Sequence, residues 1–140
     1  MYTRLLTTHD YDEYMQLINE FRSSFLSRNE FRYLLKTIND YGKIWLLIDD
    51  LTKKIIGTVT LIFEYKMTHN GKYVAHVEDL IIKKEYQGNG CGHFLMNHFI
   101  KKIKEDEKCY KIVLNCSPNL EKFYGKLGFS KVNSEMEIRF

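Results

Sequence analysis

The fold is decided by residues 87–92, which read Gln87-Gly88-Asn89-Gly90-Cys91-Gly92. This glycine loop follows an apolar strand pattern over 73–82 and precedes a helical stripe of apolar residues that runs from Cys91 to Ile103. Glycines at such a junction let backbone N–H groups approach an anion, and the N-terminus of the next helix adds partial positive charge. The loop therefore predicts a pyrophosphate site, with an ordinary strand–helix turn as the alternative.

Neither of the two common nucleotide motifs matches the glycine loop. A Rossmann loop requires Gly-x-Gly-x-x-Gly, and here the third glycine falls one position early. A P-loop requires Gly-Lys followed by Ser or Thr, whereas Gly92 is followed by His93 and Phe94. The spacing thus excludes both nucleotide folds and leaves a different pyrophosphate loop as the prediction.

The periodicity of apolar residues predicts the elements on both sides of the loop. Helices are predicted to begin at Asp10, at Asn29 as N-cap, at Cys91 and at Ser117-Pro118, and strands are predicted at 44–48, 55–64, 73–82, 110–116 and 130–140. The order is two helices, an antiparallel meander, a β-α-β crossover and a final α-β unit whose helix stops at Gly128. This order predicts a single α+β domain over 1–140, with a mixed central sheet and flanking helices.

Composition narrows the range of functions. The formal net charge is +3 over 140 residues and the basic residues are scattered, which argues against nucleic acid as the main partner. The three cysteines show no CxxC spacing and the five histidines form no HExxH motif, so neither a disulfide scaffold nor a metal site is predicted. Charged residues within 1–20 argue against a signal peptide, and no apolar run reaches transmembrane length. We expect a cytoplasmic protein without a membrane partner.

The glycine loop and several further segments resemble a known family. Gln87-x-x-Gly90-x-Gly92 after a strand resembles the pyrophosphate loop, Gln/Arg-x-x-Gly-x-Gly/Ala, of the GNAT acetyltransferase superfamily, whose element order is also the predicted one. More narrowly, the chain from about Lys43 to its end resembles the glucosamine-6-phosphate N-acetyltransferases. The segments are Val77-Glu78-Asp79-Leu80, Tyr86-Gln87-Gly88, Cys109-Tyr110-Lys111-Ile112, Phe123-Tyr124-x-Lys126-x-Gly128-Phe129 and Glu135-Met136-Glu137-Ile138-Arg139.

The resemblance implies the GNAT fold, a reaction and a co-substrate. The reaction is transfer of the acetyl group of acetyl-CoA to the amine of glucosamine 6-phosphate, for UDP-N-acetylglucosamine synthesis and without a metal. A homodimer with shared active sites is also implied. The strand before the loop would pair with the pantetheine arm, and the loop would hold the pyrophosphate. The implied acetyl-CoA residues are Leu80, Ile81, Ile82, Gln87, Gly88, Asn89, Gly90, Cys91, Gly92, His93, Asn119, Phe123, Tyr124 and Lys126.

Amide formation from a thioester needs an oxyanion donor, a base and an acid for the departing thiolate. The resemblance makes Tyr124 the acid, since a phenol with a pKa of about 10 is protonated at neutral pH; a core aromatic is the alternative. It makes Glu78 the acid–base participant, directly or through water. On a regular strand Glu78 and Asp79 would face opposite sides, so no close carboxylate pair is expected, and a solvated strand edge is the alternative.

The acceptor site is implied by the same resemblance. Its residues are Lys66, His69, Glu78, Asp79, Lys111, Asn115 and Arg139. A solvated hairpin end is the alternative for Lys66 and His69, and an exposed terminal charge is the alternative for Arg139. Asn115 stands where the family usually carries an acidic residue, and the loop between the first two helices does not align with the family's substrate-binding loop. Two other functions therefore stay open: acetyl transfer to another small amine or a peptide, and non-catalytic acyl-CoA binding.

Overall fold

Runs of β-branched and aromatic residues pair into one sheet, because such side chains pack well on a pleated surface. The computed structural model describes residues 1–140, and its strands are β1 Tyr2–Leu5, β2 Gly42–Ile48, β3 Ile55–Tyr65, β4 Tyr73–Ile82 and β5 Cys109–Val113. The sheet order follows the chain, with the first four strands antiparallel and β5 parallel to β4. The mixed sheet confirms the predicted α+β class, although β1 was not predicted.

Four α-helices flank the sheet, and four short 3-10 turns connect the elements. The helices are α1 Tyr11–Phe21, α2 Arg28–Asn39, α3 Cys91–Lys104 and α4 Glu121–Gly125; the turns are Thr8–Asp10, His69–Gly71, Lys84–Tyr86 and Pro118–Leu120. The α2 helix begins two residues earlier than predicted because Ser27, and not Asn29, is the N-cap. The Ser27 hydroxyl accepts the Glu30 N–H, and the Glu30 carboxylate accepts the Ser27 N–H at 2.7 Å. No helix combines the length and apolarity needed to cross a membrane.

The hydrophobic core lies on both faces of the sheet. On one face Phe99 of α3 and Tyr124 of α4 belong to the buried cluster that includes Val77. On the other face, Leu17 of α1 belongs to a second buried cluster that includes Ile81. A fold with helices on both faces is required here, because β2 and β3 are apolar along nearly their whole length.

A β-bulge at Asp79 interrupts β4. Thr60 of β3 pairs with Glu78 and Thr58 pairs with Ile81, so two residues of β4 stand opposite one residue of β3. Asp79 has a φ of +48°, in the left-handed region that Asp tolerates better than most residues. Because the bulge inserts one residue, Val77 and Ile81 face opposite sides of the sheet although they are four positions apart.

A gap opens between β4 and β5 after their last paired residues, on the side where β4 carries the bulge. The two strands are paired from Tyr73 and Cys109 to His76 and Val113, where β5 ends. β4 continues to Ile82 without a neighbour on that edge. The strand before the glycine loop thus separates from its neighbour, and this leaves backbone N–H and C=O groups of β4 open to a ligand.

The C-terminal part of the chain differs from the prediction. Residues 126–140 contain no strand, and α4 ends at Gly125 rather than at Gly128. The apolar residues of the predicted last strand are exposed, Met136 by 95% and Ile138 by 83%. The strand predicted at 130–140 is therefore wrong for the single chain, since the alternation is present but no neighbouring strand of the same chain pairs with it.

Candidate active site

A cavity of about 540 Å³ lies between the end of β4, the glycine loop and α4. Eleven of the fourteen residues implied for acetyl-CoA binding line it: Leu80, Ile81, Ile82, Gln87, Gly88, Gly90, Cys91, Gly92, His93, Phe123 and Tyr124. The other three, Asn89, Asn119 and Lys126, are exposed and do not line the cavity. Three of the five segments that carry the resemblance, those at 77–80, 86–88 and 123–129, thus meet around one concave site.

The glycine loop is shaped to leave its amides free. Gly88 and Gly90 have φ values of +77° and +79°, which favour glycine over any other residue, and no atom occupies the space where a Cβ would stand. Gly90 is the N-cap of α3, so the first amides of that helix have no intrahelical partner. Gln87 donates from Nε2 to the Ile82 carbonyl at 2.8 Å, which ties the loop to the end of β4. Lys84 adds a positive charge to the same wall.

The loop also has to fit against α4. A Cβ on Gly92 would lie 3.1 Å from the ring of Phe123, so glycine allows α3 and α4 to approach closely. His93 packs edge-on against Phe123 with ring centroids 4.4 Å apart. These contacts bring the start of α3 and the helix that carries Tyr124 together in the lining of the cavity.

Tyr124 is 9% exposed and is held by two aromatic neighbours. Its ring meets Phe123 at a centroid distance of 4.9 Å and Phe129 at 5.9 Å, both edge-on. Burial raises the pKa of the Tyr124 phenol, and negative charge on the Cys116 thiol would raise it further. The group is therefore a protonated donor at neutral pH, at the wall of the cavity.

Glu78 and Asp79 lie immediately before the strand segment that lines the cavity. Burial raises the pKa of Glu78, the Asp79 and Glu135 carboxylates raise it further, and His76 opposes the shift. Asp79 occupies the bulge, and no hydrogen bond joins its carboxylate to that of Glu78, so the two acids form no close carboxylate pair of the kind that the regular-strand expectation excluded. The charge of Asp79 nevertheless contributes to the raised pKa of Glu78.

The remaining acceptor candidates form separate groups. Lys66 pairs with Glu64, which also bonds His76 at 2.8 Å. His69 stacks on the ring of Tyr110 at 4.2 Å, and the Lys111 ammonium lies 5.7 Å from the centroid of the same ring. Two further polar pairs belong to the C-terminal part of the chain: Asn115 with Glu135 at 2.7 Å, and Arg139 with Glu137 at 2.8 Å.

The structure thus brings His69 and Lys111 together, whereas Arg139 contacts neither of them. The guanidinium side chain of Arg139 is 84% exposed. No group of three or more His, Cys, Asp or Glu side chains is arranged to hold a metal. The functional chemistry visible in the chain consists of carboxylates, a phenol, a glycine loop and dispersed basic groups.

Five residues of the cavity were not predicted from the sequence. They are Glu20, Phe21, Lys84, Tyr86 and Leu120. Phe21 lies three and four residues after Ile18 and Leu17 on the apolar stripe of α1, yet it is 61% exposed and forms part of the cavity wall. Helical periodicity cannot separate these two roles, because a residue that faces the sheet and a residue that faces a cavity beside it share the same stripe.

The family is established by comparison with known proteins. Residues 7–139 match the acetyltransferase (GNAT) domain family, and the chain therefore belongs to the GNAT acetyltransferases. Members of this family use acetyl-CoA as co-substrate, which agrees with the glycine loop and the open edge of β4.

Within this family the chain is similar to particular enzymes. It is 29% identical to the glucosamine 6-phosphate N-acetyltransferase of Candida albicans over 98% of this chain and 94% of that protein. It is 33% identical to the enzyme of the same name from Trypanosoma brucei brucei, over 62% of this chain and 58% of that protein. A crystal structure of an acetyltransferase from Trypanosoma brucei superposes with a TM-score of 0.90 at 25% identity, covering 99% of both chains.

Proposed function

We propose that this protein transfers the acetyl group of acetyl-CoA to the amine of glucosamine 6-phosphate. The observation that carries the proposal is one cavity that is lined by both the glycine loop and Tyr124. In β4 this lining begins directly after Glu78 and Asp79. The similarity to enzymes of this name over most of the chain supports the choice of acceptor. The product would be N-acetylglucosamine 6-phosphate, a precursor of UDP-N-acetylglucosamine.

Acetyl-CoA fits the residues of the cavity. The free amides at the start of α3 and the nearby Lys84 suit a pyrophosphate, because they combine N–H donors with positive charge. The unpaired edge of β4 beyond His76 offers backbone donors and acceptors to the amides of a pantetheine arm. A backbone N–H of the Leu80–Ile82 segment would donate to the thioester oxygen and stabilise the negative charge that develops there.

Proton transfer would then proceed between two residues of the chain and the two substrates. Glu78 takes a proton from the acceptor's ammonium group, directly or through a water, and its raised pKa makes it a better base than an ordinary glutamate. The free amine attacks the thioester carbon, so that a C–N bond forms and the C–S bond breaks. Tyr124 donates its phenolic proton to the departing sulfur. The nitrogen loses a proton as the amide forms, and this proton replaces the one that Tyr124 gave up.

The acceptor's phosphate would be bound by basic groups outside the cavity. Lys66, His69, Lys111 and Arg139 supply the positive charge, and Asn115 supplies an amide for a sugar hydroxyl. Asp79 would bind a second hydroxyl beside Glu78. Arg139 suits phosphate because its planar fork donates two parallel hydrogen bonds.

We further propose a homodimer with shared active sites in the cytoplasm. The C-terminal segment alternates exposed apolar side chains, namely Val132, Met136, Ile138 and Phe140, as a strand does. An alternating segment without a partner and the free outer edge of β5 are both surfaces that a second copy can cover. Such pairing would carry Arg139 from its exposed position to the acceptor site of the other subunit.

The acceptor is tested by measuring CoA release with glucosamine 6-phosphate, glucosamine and a panel of peptides. We expect turnover with glucosamine 6-phosphate that exceeds turnover with glucosamine at equal concentration. Equal rates with the two sugars would contradict recognition of the phosphate. Turnover with a peptide and with neither sugar would show that the acceptor is a peptide. Acetyl-CoA binding without turnover on any amine would make the chain a binding module.

A further inference from the structure

A hydrogen bond joins the C-terminal segment to the gap between β4 and β5. Asn115 donates from Nδ2 to Oε1 of Glu135 at 2.7 Å, although the two residues are twenty positions apart. Asn115 lies two residues beyond Val113, the last residue of β5 that pairs with β4. Glu78 lies two residues beyond His76, the partner of Val113. Glu78 and Asn115 therefore stand at equivalent places on the two sides of the gap.

The charges around Glu78 come from β4, from β3 with the residue that follows it, and from the C-terminal segment. Asp79 on the same strand and Glu135 from the C-terminal segment both raise the pKa of Glu78, although burial has the largest effect. His76 lowers this pKa, and it is hydrogen-bonded to Glu64 of β3, which in turn pairs with Lys66. Glu135 is thus the one acid that acts on Glu78 from across the gap.

An asparagine suits position 115 because its amide group can donate to a carboxylate, whereas an acid there would repel Glu135. Glu135 makes no other side-chain hydrogen bond, so its carboxylate is hydrogen-bonded to Asn115 alone. A negative charge held at the mouth of the gap attracts a cation that enters the gap and approaches Glu78.

We propose that Glu135 is a positioning residue for the acceptor: Asn115 holds its carboxylate opposite Glu78, and this carboxylate draws the acceptor's ammonium group towards Glu78. The proposal rests on the acetyl transfer proposed above. It differs from a structural role, because both side chains are exposed and their hydrogen bond closes no part of the core.

The test compares Glu135→Gln, Asn115→Ala and the double variant with wild type. Glu107→Gln is the matched control, since it removes the same charge from an exposed glutamate that has no hydrogen bond and lies away from Glu78. We expect Glu135→Gln and Asn115→Ala each to raise the KM for glucosamine 6-phosphate by about two- to fivefold, the range for one partly exposed charge pair. The KM for acetyl-CoA should stay unchanged, and the two effects on the acceptor KM should be less than additive in the double variant, because Asn115 acts in part through Glu135.

A second readout needs no acceptor. Titration of the Glu78 carboxyl by ¹³C NMR in the free protein should show a lower pKa in Glu135→Gln than in wild type, because a nearby negative charge has been removed. The control Glu107→Gln should titrate like wild type. An unchanged Glu78 pKa, or an acceptor KM in Glu135→Gln equal to that of the control, would overturn the proposal. Failure of wild type to acetylate glucosamine 6-phosphate would instead overturn the proposed acceptor, while the titration still decides whether Glu135 acts on Glu78.

Discussion

Replacing Tyr124 by phenylalanine removes one hydroxyl and keeps the ring that packs between Phe123 and Phe129. That hydroxyl makes no hydrogen bond within the chain, and it is not among the buried side-chain atoms that lack a partner, so it is open to the cavity. Its loss should therefore change the free energy of unfolding by no more than about 0.5 kcal/mol. The effect should appear in catalysis instead.

The size of the catalytic effect follows from the openness of the site. Positioned acid catalysis contributes roughly 10²–10⁴-fold, and a water that enters the space of the lost hydroxyl would supply part of it. We therefore expect the lower end, a turnover about a hundredfold slower, which corresponds to about 2.7 kcal/mol in activation free energy. Affinity for acetyl-CoA should change little, because the donor acts as charge develops on sulfur.

The assay is single-turnover CoA release at saturating substrates, which isolates the chemical step from product release. Tyr33→Phe is the control, since it makes the same atomic change at an exposed position on α2. Acetyl-CoA affinity by calorimetry and thermal unfolding confirm that the variant is folded and loaded. A Tyr124→Phe enzyme with the single-turnover rate of wild type would refute the role of the phenol as the acid.

Three further results are expected. Gly90→Val should weaken acetyl-CoA binding by about tenfold or more in calorimetry, because valine resists a φ of +79° and would distort the loop amides; Gly71→Val, at a φ of +75° outside the cavity, should bind as wild type does. Arg139→Ala should raise the KM for glucosamine 6-phosphate by roughly ten- to a hundredfold and leave the KM for acetyl-CoA unchanged. Light scattering of the wild-type protein should give twice the mass of one chain, and a fully active monomer would contradict the shared site. Burial pushes the pKa of Asp10 up, but hydrogen bonds from Arg4 and Thr7 outweigh it and lower the pKa from 3.8 to about 2. The Asp10 carboxylate therefore stabilises the fold above pH 3.8 and loses this effect as pH falls towards 2, so Asp10→Asn should cost about 1–2 kcal/mol in urea unfolding at pH 6 and much less at pH 2.5.

The glycine loop and the strand before it could be predicted because their signals are local. A strand pattern, glycines at a helix start and the apolar stripe of α3 each depend on residues within one turn or one strand. The limits of β4, Tyr73–Ile82, were predicted correctly for this reason. The N-cap of α2 was misplaced because Ser27 and Asn29 are both good N-caps, and only Ser27 has a glutamate three residues later.

The remaining features depend on residues distant in the chain. The bulge at Asp79 had no local signal, since neither glycine nor asparagine stands at the position of positive φ. The hydrogen bond from Asn115 to Glu135 joins a strand end to a segment without secondary structure, which no pattern predicts. The alternation over 130–140 predicted a strand that the chain by itself does not pair, because alternation shows that a segment can form a strand and not which strand it joins.

In the proposed reaction, the bulge would let one strand serve both substrates. Without the bulge, Leu80 and Ile82 would lie on the same face of the sheet as Glu78. The segment 80–82 would then turn its opposite face towards the co-substrate. The extra residue at Asp79 turns Leu80 and Ile82 towards the cluster around α3, while Ile81 packs beneath α1 and α2. Glu78 and Asp79 then lie immediately before the part of the strand that lines the cavity. In the proposed reaction, the position of Glu78 relative to the thioester would therefore be set by backbone geometry at a single residue, and the same residue supplies one of the charges that raise the pKa of Glu78.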